Sequence, residues 1–340
     1  MTDLGEPIKV LLSAHFDGTN PFVDQFVDSI TPAASVERFS WPTALRGDYD
    51  LLHVHWPEVL TRGTEPALVR ARRVIRLVIR LRRTRTPLVQ TVHNLSPHDP
   101  GGRLDRFLLG LLDRATTRFV VMSQTHQRML APRQVDLIAH PHYRDAYPAS
   151  DATPRYRAAL FFGMLRPYKS VPALMAAFSR AQIEDSTLTV AGECRSPAYS
   201  QELHDLAQRD ERITLRTESI PACEVADLIC SHSLVVVPYS QLGNSGVLLL
   251  ALSMGRPVLV PAGPIANELK EEVGADWIHT YPAEEGRAAL RRGLRHALRA
   301  GIPDGSPDLS GRDWSQAGRR YVEVYRRALG RPQRRPLLSD

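Results

Sequence analysis

Two α/β domains, each built around a parallel sheet, are predicted by three observations. Short apolar runs of strand length alternate with longer stretches of helical periodicity, as βα units require. The 340 residues suit two domains of roughly 150 residues each. A small, polar, proline-bearing stretch, Tyr147-Pro148-Ala149-Ser150-Asp151-Ala152-Thr153-Pro154, reads as a linker between them. The expected division is a first domain over 1–150, a second over 151–330 and a basic tail over 331–340.

The first series of strands opens with Ile8-Lys9-Val10-Leu11-Leu12. It continues with Asp50 to His55, Pro87 to Val92, Arg118 to Met122 and Asp136 to Ala139. The second runs through Ala158 to Phe162, Ser186 to Ala191, Arg212 to Leu215, Leu234 to Val237 and Pro257 to Val260. Each run is short, rich in β-branched residues and followed by turn-forming residues. Between the second and third strands, Leu68 to Arg83 is a basic helix in which Val74, Leu77, Val78 and Leu81 recur at helical spacing and should pack on the sheet.

Open parallel sheets bind ligands beyond the carboxyl ends of their strands, and two such domains imply a cleft. The polar clusters lie at these ends: Gly18-Thr19-Asn20-Pro21, Trp56-Pro57-Glu58, His93 to Asp99 and His140 to Asp145. The clearest candidate site joins two loops of the second series. Phe161 to Val171 carries Arg166 and Lys169, and Pro238 to Gly246 runs through Tyr239, Asn244 and Ser245 into an apolar helix. A fork-shaped guanidinium, a mobile ammonium and a helix N-terminus together can hold a diphosphate. The plain alternative is two solvated loop cations, with Ser245 only an N-cap and Gly246 only a relaxed turn.

Composition excludes several classes. The three cysteines, Cys194, Cys223 and Cys230, have no metal-ligand spacing, and they are expected to be buried thiols of a reducing compartment. No stretch supplies the ~18 apolar residues of a membrane span, and the N-terminus lacks a signal pattern, so a cytoplasmic protein is expected. The formal net charge of +6 admits an anionic partner: nucleotide, nucleic acid or lipid surface. The basic helix lacks interleaved aromatic residues for base stacking, which speaks against nucleic acid. Its arginines would attract anionic headgroups at the inner face of the cell membrane.

Taken in order, Thr19-Asn20-Pro21, His53-Val54-His55-Trp56-Pro57-Glu58, His93-Asn94-Leu95, His142-Tyr143-Arg144-Asp145, Arg166-Pro167-Tyr168-Lys169 and Asn244-Ser245-Gly246 resemble a known pattern. The chain resembles GT-B nucleotide-sugar glycosyltransferases, whose two Rossmann-like domains face each other across a cleft. Within them it looks like the bacterial GDP-mannose:glycolipid 4-β-mannosyltransferases of exopolysaccharide assembly, glycosyltransferase family 94. The resemblance implies inverting transfer of mannose from GDP-mannose to a lipid-diphosphate-linked oligosaccharide by a peripheral hexosyltransferase. The first domain would bind the acceptor and the second the donor, with Arg166, Lys169, Tyr239, Asn244, Ser245 and Gly246 at the donor.

Many retaining GT-B enzymes carry two glutamates around the second loop, yet Pro238 to Gly255 contains no acidic residue. Inversion then needs a base on the acceptor side. Asp99 and Glu58 are the candidates, with His93 close in sequence to Asp99; the plain alternatives are a loop carboxylate for Asp99 and a helix cap for Glu58. Thr19, Asn20, His98, His142 and Tyr143 are candidate acceptor or cleft residues, against turn and packing roles. No catalytic metal and no cofactor are expected. Two other readings stay open: a retaining GT-B transferase using a donor such as UDP-glucose, and a non-catalytic anion-binding protein.

Overall fold

The structure, a computed structural model, describes residues 6–14, 16, 18, 20–94, 101–239, 242 and 245–330. The expectations placed on Thr19, His98, Asp99, Asn244 and the tail 331–340 lie outside the described residues.

Among the described residues two six-stranded sheets form, and every strand pair is parallel. The first holds β1 (Ile8–Leu12), β2 (Ala34–Arg38), β3 (Leu51–His55), β4 (Leu88–Val92), β5 (Arg118–Val121) and β6 (Val135–Leu137). Their order is β2-β1-β3-β4-β5-β6. The second holds β7 (Ala158–Phe162), β8 (Thr187–Ala191), β9 (Ile213–Arg216), β10 (Leu234–Val236), β11 (Val258–Pro261) and β12 (Ile278–Tyr281), in the order β12-β11-β10-β7-β8-β9. In each sheet the chain builds outward in one direction and then restarts in the other. The reversal falls between β1 and β3 in one sheet and between β7 and β10 in the other, and such a switch point opens a ligand crevice at the strand ends.

Ten strands lie where the apolar runs predict them, and β2 and β12 are additions. Both are edge strands with a single partner. The burial of β2 falls away after Ala34, and β12 buries only its two ends, Ile278 and Tyr281. Little burial leaves such a strand free to carry polar residues, although the other two edge strands, β6 and β9, are no more buried and still carry short apolar runs.

The division of the chain differs from a simple break near residue 150. One compact unit comprises Met1–Pro141 together with Gly311–Asp340, and the other comprises His142–Ser310. The helix Trp314–Ala328 thus belongs with the first sheet, although 151–330 reads as one domain. Periodicity shows that this helix has an apolar face, with Tyr321, Val324 and Tyr325 wholly buried, but cannot say which sheet receives it.

The helix docks against the helix Pro21–Ile30 through Gly318, where a built Cβ would lie 2.0 Å from the carbonyl oxygen of Ser29. Backbone against backbone leaves nothing soft to yield. Gly318→Ala should therefore cost about 1–3 kcal/mol or more of stability. Thermal unfolding checks this, and an unchanged midpoint would mean that the two helices separate freely.

The helix Ala67–Thr84 buries Val74, Leu77, Val78 and Leu81, the four residues its periodicity selects. Of the cysteines only Cys230 is buried. Cys194 is half-buried and Cys223 exposed, so the expectation of three buried thiols fails for two of them. Short amphipathic helices and loops leave room for a small thiol at the surface. Among the described residues no helix is long and apolar enough to cross a membrane.

Candidate active site

Both loops of the expected diphosphate site belong to the second unit and flank its switch point, one after β7 and one after β10. The first leaves β7 through Gly163, whose φ of +108° is open to glycine, and is tied to the loop after β8. Gly163 N–H donates to the Ala191 carbonyl at 3.0 Å and Leu165 N–H to the Glu193 carbonyl at 2.9 Å. Gly192 fits beneath: a Cβ there would meet the Gly163 carbonyl oxygen at 2.3 Å. A single 3-10 turn, Pro167–Lys169, then leads through Ser170 at a left-handed φ of +57° into the helix Val171–Ser179.

That turn carries Lys169 inward. The side chain is buried, its ammonium lies 5.9 Å from the Phe161 ring centroid and 5.7 Å from that of Tyr239, and it makes no ion pair among the described residues. Burial, with Arg166 adding repulsion, lowers its pKa to about 8. Arg166 stays exposed in the same loop, and its Nη2 reaches Met164 Sδ at 3.5 Å. An inward ammonium and an outward guanidinium thus stand one turn apart.

Tyr239 and Ser245, at the two described ends of the second loop, meet beside the first. Tyr239, which burial raises to about 12, keeps its proton, and its hydroxyl lies 3.0 Å from Ser245 Oγ. Ser245 caps the helix Gly246–Ser253, accepting from Leu248 N–H at 3.4 Å. A side chain on Gly163 would touch Val247 of this helix at 3.3 Å and stand 3.4 Å from Lys169 Nζ. The helix N-terminus and the ammonium therefore converge on the same glycine. Tyr143, read from the sequence as a cleft residue, lies in this unit: its hydroxyl would be 3.1 Å from a Cβ on Gly246, and its N–H donates to Ser253 Oγ at 2.8 Å. His142 is buried beside it, with Nδ1 accepting from Arg144 N–H at 3.4 Å.

The first unit gathers a different set of groups around the carboxyl ends of β3 and β4. His53 is wholly buried between the Tyr325 hydroxyl, 2.7 Å from Nδ1, and Thr91 Oγ1, 2.9 Å from Nε2. His55 Nδ1 lies 2.9 Å from His93 Nε2. Phe22 packs against His55, His93, His140 and Trp314. Burial first, and neighbouring imidazoles second, hold His53 at about 3 and push His55 and His93 well below the ordinary histidine range. Burial lowers His140 to about 4. These rings are neutral at physiological pH and act as hydrogen-bonding groups, not as cations.

One tautomer follows. His55 Nε2 is buried without a partner among the described residues. A buried N–H left unpaired costs more than a bare lone pair facing aromatic carbon, so the proton sits on Nδ1 and is donated to His93 Nε2. Neutral His93 must then carry its own proton on Nδ1. Its ring is stacked on Trp56 at 4.2 Å and 15°, and Trp56 is itself held at a left-handed φ of +51°.

Glu58 opens the short helix Glu58–Thr61 directly after this pair. With Trp56, Gln90, His93, Leu109 and Phe119 it lines a cavity of about 270 Å³ on the sheet. Asn20 is an N-cap, its side chain accepting from Phe22 N–H at 3.2 Å, which matches the plain reading of that turn. Among the described residues no group of three or more histidine, cysteine or acidic side chains is placed to hold a metal ion.

The structure therefore brings Arg166, Lys169, Tyr239, Ser245 and Gly246 together, and separately Glu58 and His93. Sequence reading missed the aromatic shell of Phe22, Trp314 and Tyr325 and the stacking partner Trp56. The dipeptide Trp56-Pro57 at a strand end was the available signal, since a tryptophan there is exposed unless something stacks on it.

Residues 157–295 match the family model of glycosyl transferases group 1. The chain is 35% identical over 316 residues to the GDP-mannose:glycolipid 4-beta-D-mannosyltransferase of Xanthomonas campestris pv. campestris, an alignment covering 92% of this chain and 90% of that one. Among solved structures it resembles sucrose-phosphate synthase from Thermosynechococcus elongatus, with a TM-score of 0.65 and 16% identity over 95% and 99% of the two chains. It also resembles Anabaena HepE in complex with UDP and glucose, with a TM-score of 0.62 and 16% identity over 95% of each. At such identities these two similarities speak for the fold.

Proposed function

Given that the chain belongs to the GT-B glycosyltransferases of group 1, and within them to the family of the GDP-mannose:glycolipid 4-beta-D-mannosyltransferase, we propose that it transfers mannose from GDP-mannose, with inversion and without metal, to a lipid-diphosphate-linked oligosaccharide. The setting of this reaction would be exopolysaccharide assembly at the inner face of the cell membrane. The observation that carries the reading is Lys169: a buried ammonium with no ion-pair partner among the described residues, beside a helix N-terminus.

As the glycosidic bond breaks, negative charge grows on the departing diphosphate. A cation already stripped of water stabilises that charge more strongly than a solvated one. Arg166 would share the phosphate oxygens in a forked contact, and the Gly246 helix would add its terminal N–H groups. The stretch Pro238 to Gly255, free of acidic residues, leaves the donor loops without a carboxylate for a retaining site. The attacking hydroxyl would therefore lose its proton to a carboxylate of the first unit, Glu58 or Asp99, with His93 as a neutral donor beside it.

Calorimetric titration with nucleoside diphosphates, followed by proton NMR of the product linkage, tests this. GDP should bind more tightly than UDP, and the α-linked donor should yield a β-linked product. Preference for UDP would remove the mannosyl donor, an α product would establish retention, and absence of turnover with any sugar nucleotide would leave an anion-binding protein.

A further inference from the structure

Two phenol hydroxyls meet the start of the helix Gly246–Ser253, and only one of them comes from the loops that carry Lys169 and Ser245. The Tyr239 hydroxyl lies 3.0 Å from Oγ of Ser245, the residue that caps the helix. The other belongs to Tyr143, the second residue of the unit His142–Ser310. Its N–H donates to Oγ of Ser253, the last residue of the helix, at 2.8 Å, while its hydroxyl would stand 3.1 Å from a Cβ on Gly246, the first. The side chain therefore lies along the helix from its end to its start. Ser253 Oγ donates in turn to the Leu249 carbonyl at 2.7 Å, so the anchor is itself fixed.

A buried tyrosine can serve packing alone, but packing has no need of a hydroxyl at a helix N-terminus. Tyr143 is only 8% exposed, and burial, with Tyr147 adding to it, raises its pKa above the ordinary tyrosine value. It keeps its proton and is an O–H donor. The groups around it are donors as well. The first N–H groups of the helix have no partner within it. The Lys169 ammonium, 9% exposed and without an ion pair among the described residues, stands at the same end, because a side chain on Gly163 would touch Val247 at 3.3 Å and Lys169 Nζ at 3.4 Å. Pro238 to Gly255 supplies no carboxylate. Donors that converge without an acidic partner are satisfied together by the oxygens of an anion.

We propose that Tyr143 is a phosphate-binding residue of the donor site, its hydroxyl donating to a diphosphate oxygen held at the start of the Gly246 helix. The assignment rests on the reading of these loops as a nucleoside-diphosphate site. It moves Tyr143 from the acceptor or cleft residues, where residue order alone puts it, to the donor.

Tyr143→Phe removes the hydroxyl and keeps the ring, so it is the test. Calorimetry with GDP and UDP, compared for whichever the wild type binds more tightly, should show affinity lower by about tenfold or more, as expected for a hydrogen bond to a charged group. The ratio should be the same at pH 7 and pH 9, because the phenol keeps its proton at both. In phosphorus NMR of the bound nucleotide, the resonance of the contacted phosphate should move, which a change in packing away from the ligand does not produce. Wild-type affinity, or unchanged phosphorus resonances, would overturn the role of Tyr143 and leave the donor site standing. A higher KM for the acceptor with unchanged diphosphate affinity would return the residue to the acceptor side. A loss present at pH 7 and absent at pH 9 would mean that the hydroxyl acts through Lys169, and would overturn the direct contact. A wild-type chain that binds neither diphosphate would overturn the site and this assignment with it.

Discussion

Lys169→Met should lower turnover by about 10²–10³-fold, the range seen when a single preorganised donor to a developing anion is removed, and should leave the fold intact. The stability half of this expectation has a definite sign. The pKa of Lys169 falls from its ordinary value near 10.5 to about 8 on folding, so between these values the unfolded chain holds more protons and stability rises with pH. At neutral pH the buried charge is a cost to the fold, and the methionine variant should melt at or above the wild-type temperature.

The binding half runs oppositely. A diphosphate needs the protonated ammonium, so affinity for GDP should be full below about pH 8 and decline as pH rises through it. Lys169→Arg should carry that decline to higher pH, because a guanidinium keeps its proton. Calorimetry at pH 7 and 9, with steady-state rates for the methionine variant, checks the set. Undiminished turnover, or equal affinity at both pH values, would remove Lys169 from the leaving-group role.

The carboxylates of the first unit carry the second large effect. One of Glu58→Gln and Asp99→Asn should reduce kcat by about 10²–10⁴-fold, the usual contribution of a positioned base, with GDP affinity unchanged; the other should retain most of the rate. The split matters more than the size, because a base acts on the acceptor hydroxyl and not on the nucleotide. Glu58 enters this pair with a location: it lines the cavity beside Trp56 and His93, and the histidine's orientation is set by the hydrogen bond from His55. Near-wild-type kcat in both variants would leave inversion without its base and return the retaining reading.

Much of the molecule is legible in its residues. The eight inner strands are buried along most of their length and read as apolar runs; of the four edge strands, β6 and β9 still carry short apolar runs, whereas β2 and β12 do not. The cation-bearing loop after β7 and the capped helix after β10 were likewise visible, because glycine, proline and serine at strand ends mark turns by local stereochemistry. The four inward residues of the helix Ala67–Thr84 follow from a period of about 3.6 residues.

Contacts between residues distant in the chain leave no such local trace. Nothing around Lys169 announces that its ammonium turns inward between Phe161 and Tyr239, and nothing in His53 announces Tyr325 as its partner, 272 residues away. The helix Trp314–Ala328 shows the same limit: its apolar face is evident, its place against Pro21–Ile30 is not. Residue order therefore dictated the two parallel sheets and the loops at their switch points, since these arise from backbone stereochemistry and burial pattern within a few residues. Packing across the chain decided which cation was desolvated, which imidazoles stayed neutral and which unit received the last helix, since burial and charge depend on what folding brings alongside.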